Sequence, residues 1–182
     1  MAGRERYALL LRGVNVGGVK LSMKDFRAAL ETDGLDDVAT YLQSGQAVVT
    51  ASGTPAALQK RVEKLIKSEF GLDIRVLAQT HAQLEAVVAD CPYPRPEAEP
   101  TKHVVWWLID ALDAAGRKRL AEFDQAQFAP DEFALVDDRI YLRLPDGQGR
   151  SKLLPPLQRA LKVPATARNW NTVVKLVEMT AP

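Results

Sequence analysis

Tyr7-Ala-Leu-Leu-Leu11 is a short apolar run, broken by Arg12-Gly-Val-Asn-Val-Gly-Gly18 and followed from Ser22 by apolar residues at helical spacing. A run of this length without polar alternation reads as a buried strand. Ser22, with Asp25 three residues on, approximates a capping box. Met23, Phe26 and Leu30 share one helix face, and Gly34 closes it. Strand, glycine-rich break and helix form the opening of a split β-α-β unit, so the next two strands decide the fold.

Those strands follow. Val38–Leu42 and Ala47–Ala51 flank the turn Ser44-Gly45. Thr54-Pro55 then opens a helix with the stripe Leu58, Val62, Leu65, Ile66 and Phe70, and Gly71 ends it. Asp73–Ala78 supplies a fourth strand, and a further helix carries Leu84, Val87, Val88 and Cys91 on one face. Cys91-Pro-Tyr-Pro-Arg-Pro-Glu-Ala-Glu-Pro100 contains four prolines and reads as a stiff linker without regular structure.

Beyond it the pattern recurs. His103–Ile109, a helix over about Asp113–Phe123, Glu132–Val136, a turn at Asp137-Asp138, Ile140–Leu144 and a helix bearing Leu154, Leu157 and Leu161 repeat β-α-β-β-α. Where a closing strand is due, Trp170, Val173, Val174 and Val177 are spaced for a helix instead. The predicted fold class is α+β, a structural repeat of two ferredoxin-like (βαββαβ-type) subdomains, the second lacking its last strand or replacing it with a helix. The expected division is 1–91 for the first subdomain with its extra helix, 92–100 for the linker and 101–182 for the second subdomain.

Composition bounds the function. The chain has 182 residues, 47% hydrophobic and 26% charged, with a net charge of +1. That balance disfavours nonspecific coating of nucleic acid, which needs a cationic surplus, but leaves a local basic site open. A single cysteine excludes an intrachain disulfide. The N-terminal apolar run stops at Arg12, too short for a signal segment or a membrane span, so the expected location is the cytoplasm, with no membrane partner.

Topology also locates a site. In a split β-α-β unit the first two strands run parallel, so the loop after the first lies beside the turn after the second. Residues 12–20 and 43–46 are therefore expected to meet. Both are rich in glycine and amides. Taken alone they favour tight turns over close backbone approach to a ligand. The amides before Ser22 sit at a helix N-terminus, and Arg12, Lys20 and Lys24 are neighbouring cations.

Arg12-Gly-Val-Asn-Val-Gly-Gly18, Tyr41-Leu-Gln-Ser-Gly45, Gly149-Arg-Ser-Lys-Leu153 and Thr166-Ala-Arg-Asn-Trp-Asn-Thr-Val173 together resemble the bacterial domain-of-unknown-function family DUF1697. The resemblance runs over nearly the whole chain. It implies a two-part α+β fold and no established activity, substrate or cofactor. The signature positions it marks are Arg12, Gly13, Asn15, Gly17, Gln43, Ser44, Gly45, Ser151, Lys152 and Arg168 to Thr172. Gln46 departs from the family's usual Asn. Most signature residues are polar and fall at element ends, where binding residues concentrate.

Other chemistries find little support. His81, His103 and Cys91 lack ligand spacing, so no metal and no cofactor is predicted. Ser44 and Ser151 lie in no nucleophile elbow, and Ser151 reads as a helix cap. Trp106, Trp107 and Tyr141 occupy central strands of the second half, where one tryptophan faces away from the helices, either to stack a base or to be covered. The candidate ligand-binding residues are Arg12, Asn15, Gly17, Gln43, Ser44, Arg150, Lys152, Arg168 and Asn169. The expected ligand is a phosphorylated or otherwise anionic small molecule, or nucleic acid. The alternatives are an enzyme acting on a small phosphorylated substrate, and a structural protein that forms a homodimer through its Trp-bearing sheet.

Overall fold

The computed structural model describes residues 3–182. Its first sheet is built from β1 (Arg4–Leu11), β2 (Asp36–Tyr41), β3 (Gln46–Ser52) and β4 (Val76–Thr80), with α1 (Met23–Thr32) and α2 (Pro55–Phe70) in the connections. The strand order is β2-β3-β1-β4, and every hydrogen-bonded pair is antiparallel. β1 and β2 thus run the same way with β3 between them, as the split unit requires.

Alternation along the strands forms the core. Tyr7, Leu9 and Leu11 of β1 and Ala47, Val49 and Ala51 of β3 point to one face, where they meet Phe26 and Leu30 of α1 and Leu58, Val62 and Ile66 of α2. Both helices begin where the sequence marks a cap. Ser22 Oγ accepts from Asp25 N and Thr54 Oγ1 from Ala57 N. α2 ends on Gly71 at φ 65°, whose N–H returns to the Lys67 carbonyl.

The second sheet repeats this plan. β5 (His103–Leu108), β6 (Glu132–Val136), β7 (Arg139–Arg143) and β8 (Ala165–Asn169) take the order β6-β7-β5-β8, with α4 (Ala114–Ala121) and α5 (Leu154–Leu161) between them. α3 (His81–Ala89) precedes β5 and α6 (Trp170–Thr180) follows β8. The chain divides into two compact units, residues up to 86 with 175–182, and residues 87–174, so the division falls inside α3 and α6.

Two expectations need correction. The second half does not lack its closing strand: β8 pairs with β5 from Val104–Asn169 to Leu108–Ala165, and the helix at Trp170 follows it rather than replacing it. Its sequence, Ala-Thr-Ala-Arg-Asn, has no β-branched or aromatic run, so pairing and burial, not propensity, make the strand. The proline-rich segment is not wholly irregular either. Pro96–Ala98 forms one turn of 3₁₀ helix, with proline in the first position, where its missing N–H costs nothing.

Strand alternation places Trp106 in the helix-side core and Trp107 on the opposite face, and both are buried. Tyr141, in register with Val105, is also buried and donates its hydroxyl to the Val87 carbonyl at 2.8 Å. No tryptophan of this sheet is exposed to stack a base. Among the described residues no helix is long and apolar enough to cross a membrane.

Candidate anion-binding site

The parallel run of β1 and β2 brings their C-terminal ends to one edge of the first sheet. Leu11 N–H donates to the Gly45 carbonyl at 2.8 Å, and Arg12 N–H to the Arg75 carbonyl at 3.0 Å. The loop after β1 and the turn after β2 therefore meet, as the topology predicted. Gly45 is required at their junction. It sits at φ 83°, and a Cβ there would collide with the Val14 side chain.

Asn15 organises the loop. Its Nδ2 donates to the Gln43 carbonyl at 2.6 Å and to the Leu21 carbonyl at 3.1 Å, and its Oδ1 accepts from Leu21 N–H at 3.1 Å. Its own N–H reaches the Val19 carbonyl at 2.7 Å. Asn15, Gly17 and Gly18 all have positive φ, so the chain doubles back on itself and lifts Val16 into solvent.

This fold-back leaves an open depression of about 700 Å³, lined by residues 15–24 and Gln43. Lys20 and Lys24 are in the lining and no carboxylate is. Neither lysine makes an ion pair among the described residues. The backbone N–H groups of Gly17, Gly18, Lys20, Ser22, Met23 and Lys24 have no protein acceptor among the described residues. The last three lie at the start of α1, where the helix dipole adds positive potential. An anion here meets main-chain donors and two ammonium groups, with no acidic side chain in the wall.

The structure sorts the candidate residues. Arg12, Asn15, Gly17, Gln43 and Ser44 belong to the joined loops of the first unit. Asn15 positions the loop rather than facing a ligand, because its amide is fully used internally. Ser44 Oγ exchanges hydrogen bonds with the buried Gln46 amide at 3.0 and 3.3 Å. In the sequence Lys20 and Lys24 stand out only as neighbouring cations. Their relevance appears once the fold-back sets them around one depression.

The remaining candidates lie in the second unit. Arg150 ends a 3₁₀ turn, Gln148–Arg150, and is exposed, as is Lys152. Between them Ser151 Oγ accepts from Leu154 N–H at 3.3 Å, but the N-cap position of α5 is Leu153, not Ser151 as expected. Arg168 is 7% exposed, and its Nη1 donates to Thr166 Oγ1 at 3.0 Å and the Ala167 carbonyl at 2.7 Å. Burial lowers its pKa to about 10. Asn169 Oδ1 accepts from both the N–H and the hydroxyl of Thr172 at 3.1 Å, capping α6.

Among the described residues no cluster of His, Cys, Asp and Glu is placed to hold a metal. Cys91 is half-buried and donates to the Tyr93 carbonyl, and burial raises its pKa, which makes for an unreactive thiol.

The elements that build the depression, β1, α1 and the β2–β3 turn, fall within the stretch matched by a family model. That model, described as "Protein of unknown function (DUF1697)", matches residues 4–141. The chain belongs to the DUF1697 family. A similar fold is found in the solved structure of a conserved bacterial protein, SP0830 from Streptococcus pneumoniae. It is 22% identical, covers 98% of this chain and 100% of its own, and superposes with a TM-score of 0.74. That likeness concerns the fold. No curated protein matches the sequence.

Proposed function

We propose that this DUF1697 chain binds a small phosphorylated molecule in the depression between the β1–α1 loop and the β2–β3 turn. One observation carries the reading: the wall holds two unpaired lysines and a run of main-chain N–H donors, and no carboxylate. A phosphate carries about two negative charges and several acceptor oxygens, which such a wall satisfies and water-filled turns do not need. Val16 and Leu42, 62% and 55% exposed, stand in the two loops that form the rim and offer apolar contact to the organic part of the ligand. Arg12, exposed on the same loop, extends the cationic surface.

Titration calorimetry with pyrophosphate tests this. Removing either ammonium group should weaken binding about tenfold, so Lys20→Ala with Lys24→Ala together lower affinity about a hundredfold. Both side chains are exposed, so the thermal midpoint should stay put. Equal pyrophosphate binding by the folded double variant would refute the assignment, as would no binding by the native protein.

A further inference from the structure

A second depression, of about 460 Å³, lies in the second unit and differs in chemistry. Tyr93, Pro94, Arg95, Ala98, Glu99, His103, Glu132 and Arg143 line it. Its floor is one row across three strands. His103 of β5 is directly opposite Arg143 of β7, which is directly opposite Glu132 of β6. The proline-rich segment supplies the other wall.

His103 is the informative group. It is 5% exposed, and its Nδ1 lies 3.1 Å from the Glu99 carbonyl. A carbonyl only accepts, so Nδ1 carries the proton and Nε2 of the neutral ring presents a lone pair. That Nε2 is buried with no partner among the described residues. A buried acceptor left unsatisfied is a cost the fold has not removed, and a ligand donor would remove it.

The charges around it narrow the ligand. Arg95 makes no ion pair among the described residues. Arg143 uses Nη1 to hold Glu132 Oε1 at 3.0 Å, which leaves Glu132 Oε2 able to accept from a ligand. Burial, then the Glu132 carboxylate, raises the Tyr93 pKa, so its hydroxyl stays protonated as a donor. A phosphate dianion would face Glu99 and Glu132 here. A ligand with one separated charge of each sign would not.

We infer that this depression binds a zwitterionic α-amino acid, its carboxylate on Arg95 and the Tyr93 hydroxyl, its ammonium between His103 Nε2 and Glu132. The Tyr93 and His103 rings lie side by side in the wall, their centroids 6.0 Å apart. The site shares no residue with the lysine-lined depression and stands or falls without it.

Saturation-transfer NMR of the full chain with the twenty proteinogenic amino acids tests the inference. Every responder is compared with its decarboxylated amine and its deaminated acid. At least one amino acid should respond at about 1 mM, and both single-charge counterparts should bind about tenfold more weakly. Arg95→Ala should weaken binding about tenfold with an unchanged thermal midpoint, and His103→Asn should weaken it about tenfold in a chain that still unfolds cooperatively. Asparagine can keep the bond to the Glu99 carbonyl while removing Nε2. The assignment is wrong if no amino acid responds at about 10 mM, if the amine or the acid binds as well, or if either folded variant binds normally.

Discussion

Asn15 shows how much one side chain can do here. At φ 56° it occupies left-handed backbone, which asparagine tolerates better than any residue with a larger side chain. From that position its amide spans the loop with two donors and one acceptor. Asn15→Asp keeps Oδ1 for Leu21 but turns an oxygen toward two carbonyls, whereas Asn15→Ala removes all three bonds without that repulsion. Part of the network is solvent-exposed, so alanine should cost about 1–2 kcal/mol in urea unfolding, with aspartate at least as costly. Pyrophosphate binding should fall in both, more in aspartate, which also brings a negative charge to the depression. If alanine leaves both readouts unchanged, the loop is held by its glycines and not by this amide.

The two units can be compared element by element. At the end of the first strand in each, one N–H reaches across to the hairpin turn: Leu11 to Gly45 in the first, Leu108 to Asp138 at 3.1 Å in the second. The next N–H reaches the segment before the last strand: Arg12 to Arg75, and Ile109 to Pro164 at 2.8 Å. The repeat therefore extends to individual hydrogen bonds. The units diverge in the connection from first strand to first helix. In the second, Asp113 caps α4 after only a few residues, and Arg117 pairs with Asp138 at 2.9 Å in the turn. That turn is acidic, so the glycine-rich fold-back and its unpaired lysines belong to the first unit alone. At the β8–α6 junction, the cap made by Asn169 predicts that Asn169→Ala destabilises the protein by about 1 kcal/mol and that Asn169→Asp is near neutral. Denaturant midpoints decide, and an unchanged midpoint in alanine would overturn the cap. Most elements were legible because Thr54, Gly71, Ser22 and Asp113 act locally as caps. β8 was not, because Ala165 to Asn169 becomes a strand only through its partner β5. The meeting of residues 12–20 with 43–46 followed from topology. The burial of Arg168 did not, because burial and bonding partners are not written in a motif.

At the scale of the whole molecule, near-zero net charge hides a set of phenols that titrate late. Tyr7 donates to the Gly53 carbonyl at 2.7 Å, and burial, then Glu5, raises its pKa. Tyr93 is raised first by burial, and Tyr141 is pushed up to about 12, again chiefly by burial. A group whose folded pKa lies above its unfolded value contributes stability that is complete below the unfolded pKa and is lost as pH rises through the folded one. For all three that window opens near pH 10, and for Tyr141 it extends to about pH 12. Arg168, lowered to about 10 by burial, acts the opposite way over the same range, since its neutral form is the better buried one. One opposing group against three leaves a net loss of stability with rising alkalinity. Urea midpoints should therefore decline from about pH 10 upward, while phenolate absorbance of the folded protein lags behind that of the unfolded chain. Tyr141→Phe keeps the buried ring and gives up the bond to Val87, at about 1 kcal/mol at neutral pH. Its decline with pH should be shallower than that of the native protein, because one late-titrating phenol is gone. A native midpoint that holds or rises across that range would mean that Arg168, not the tyrosines, sets the alkaline limb.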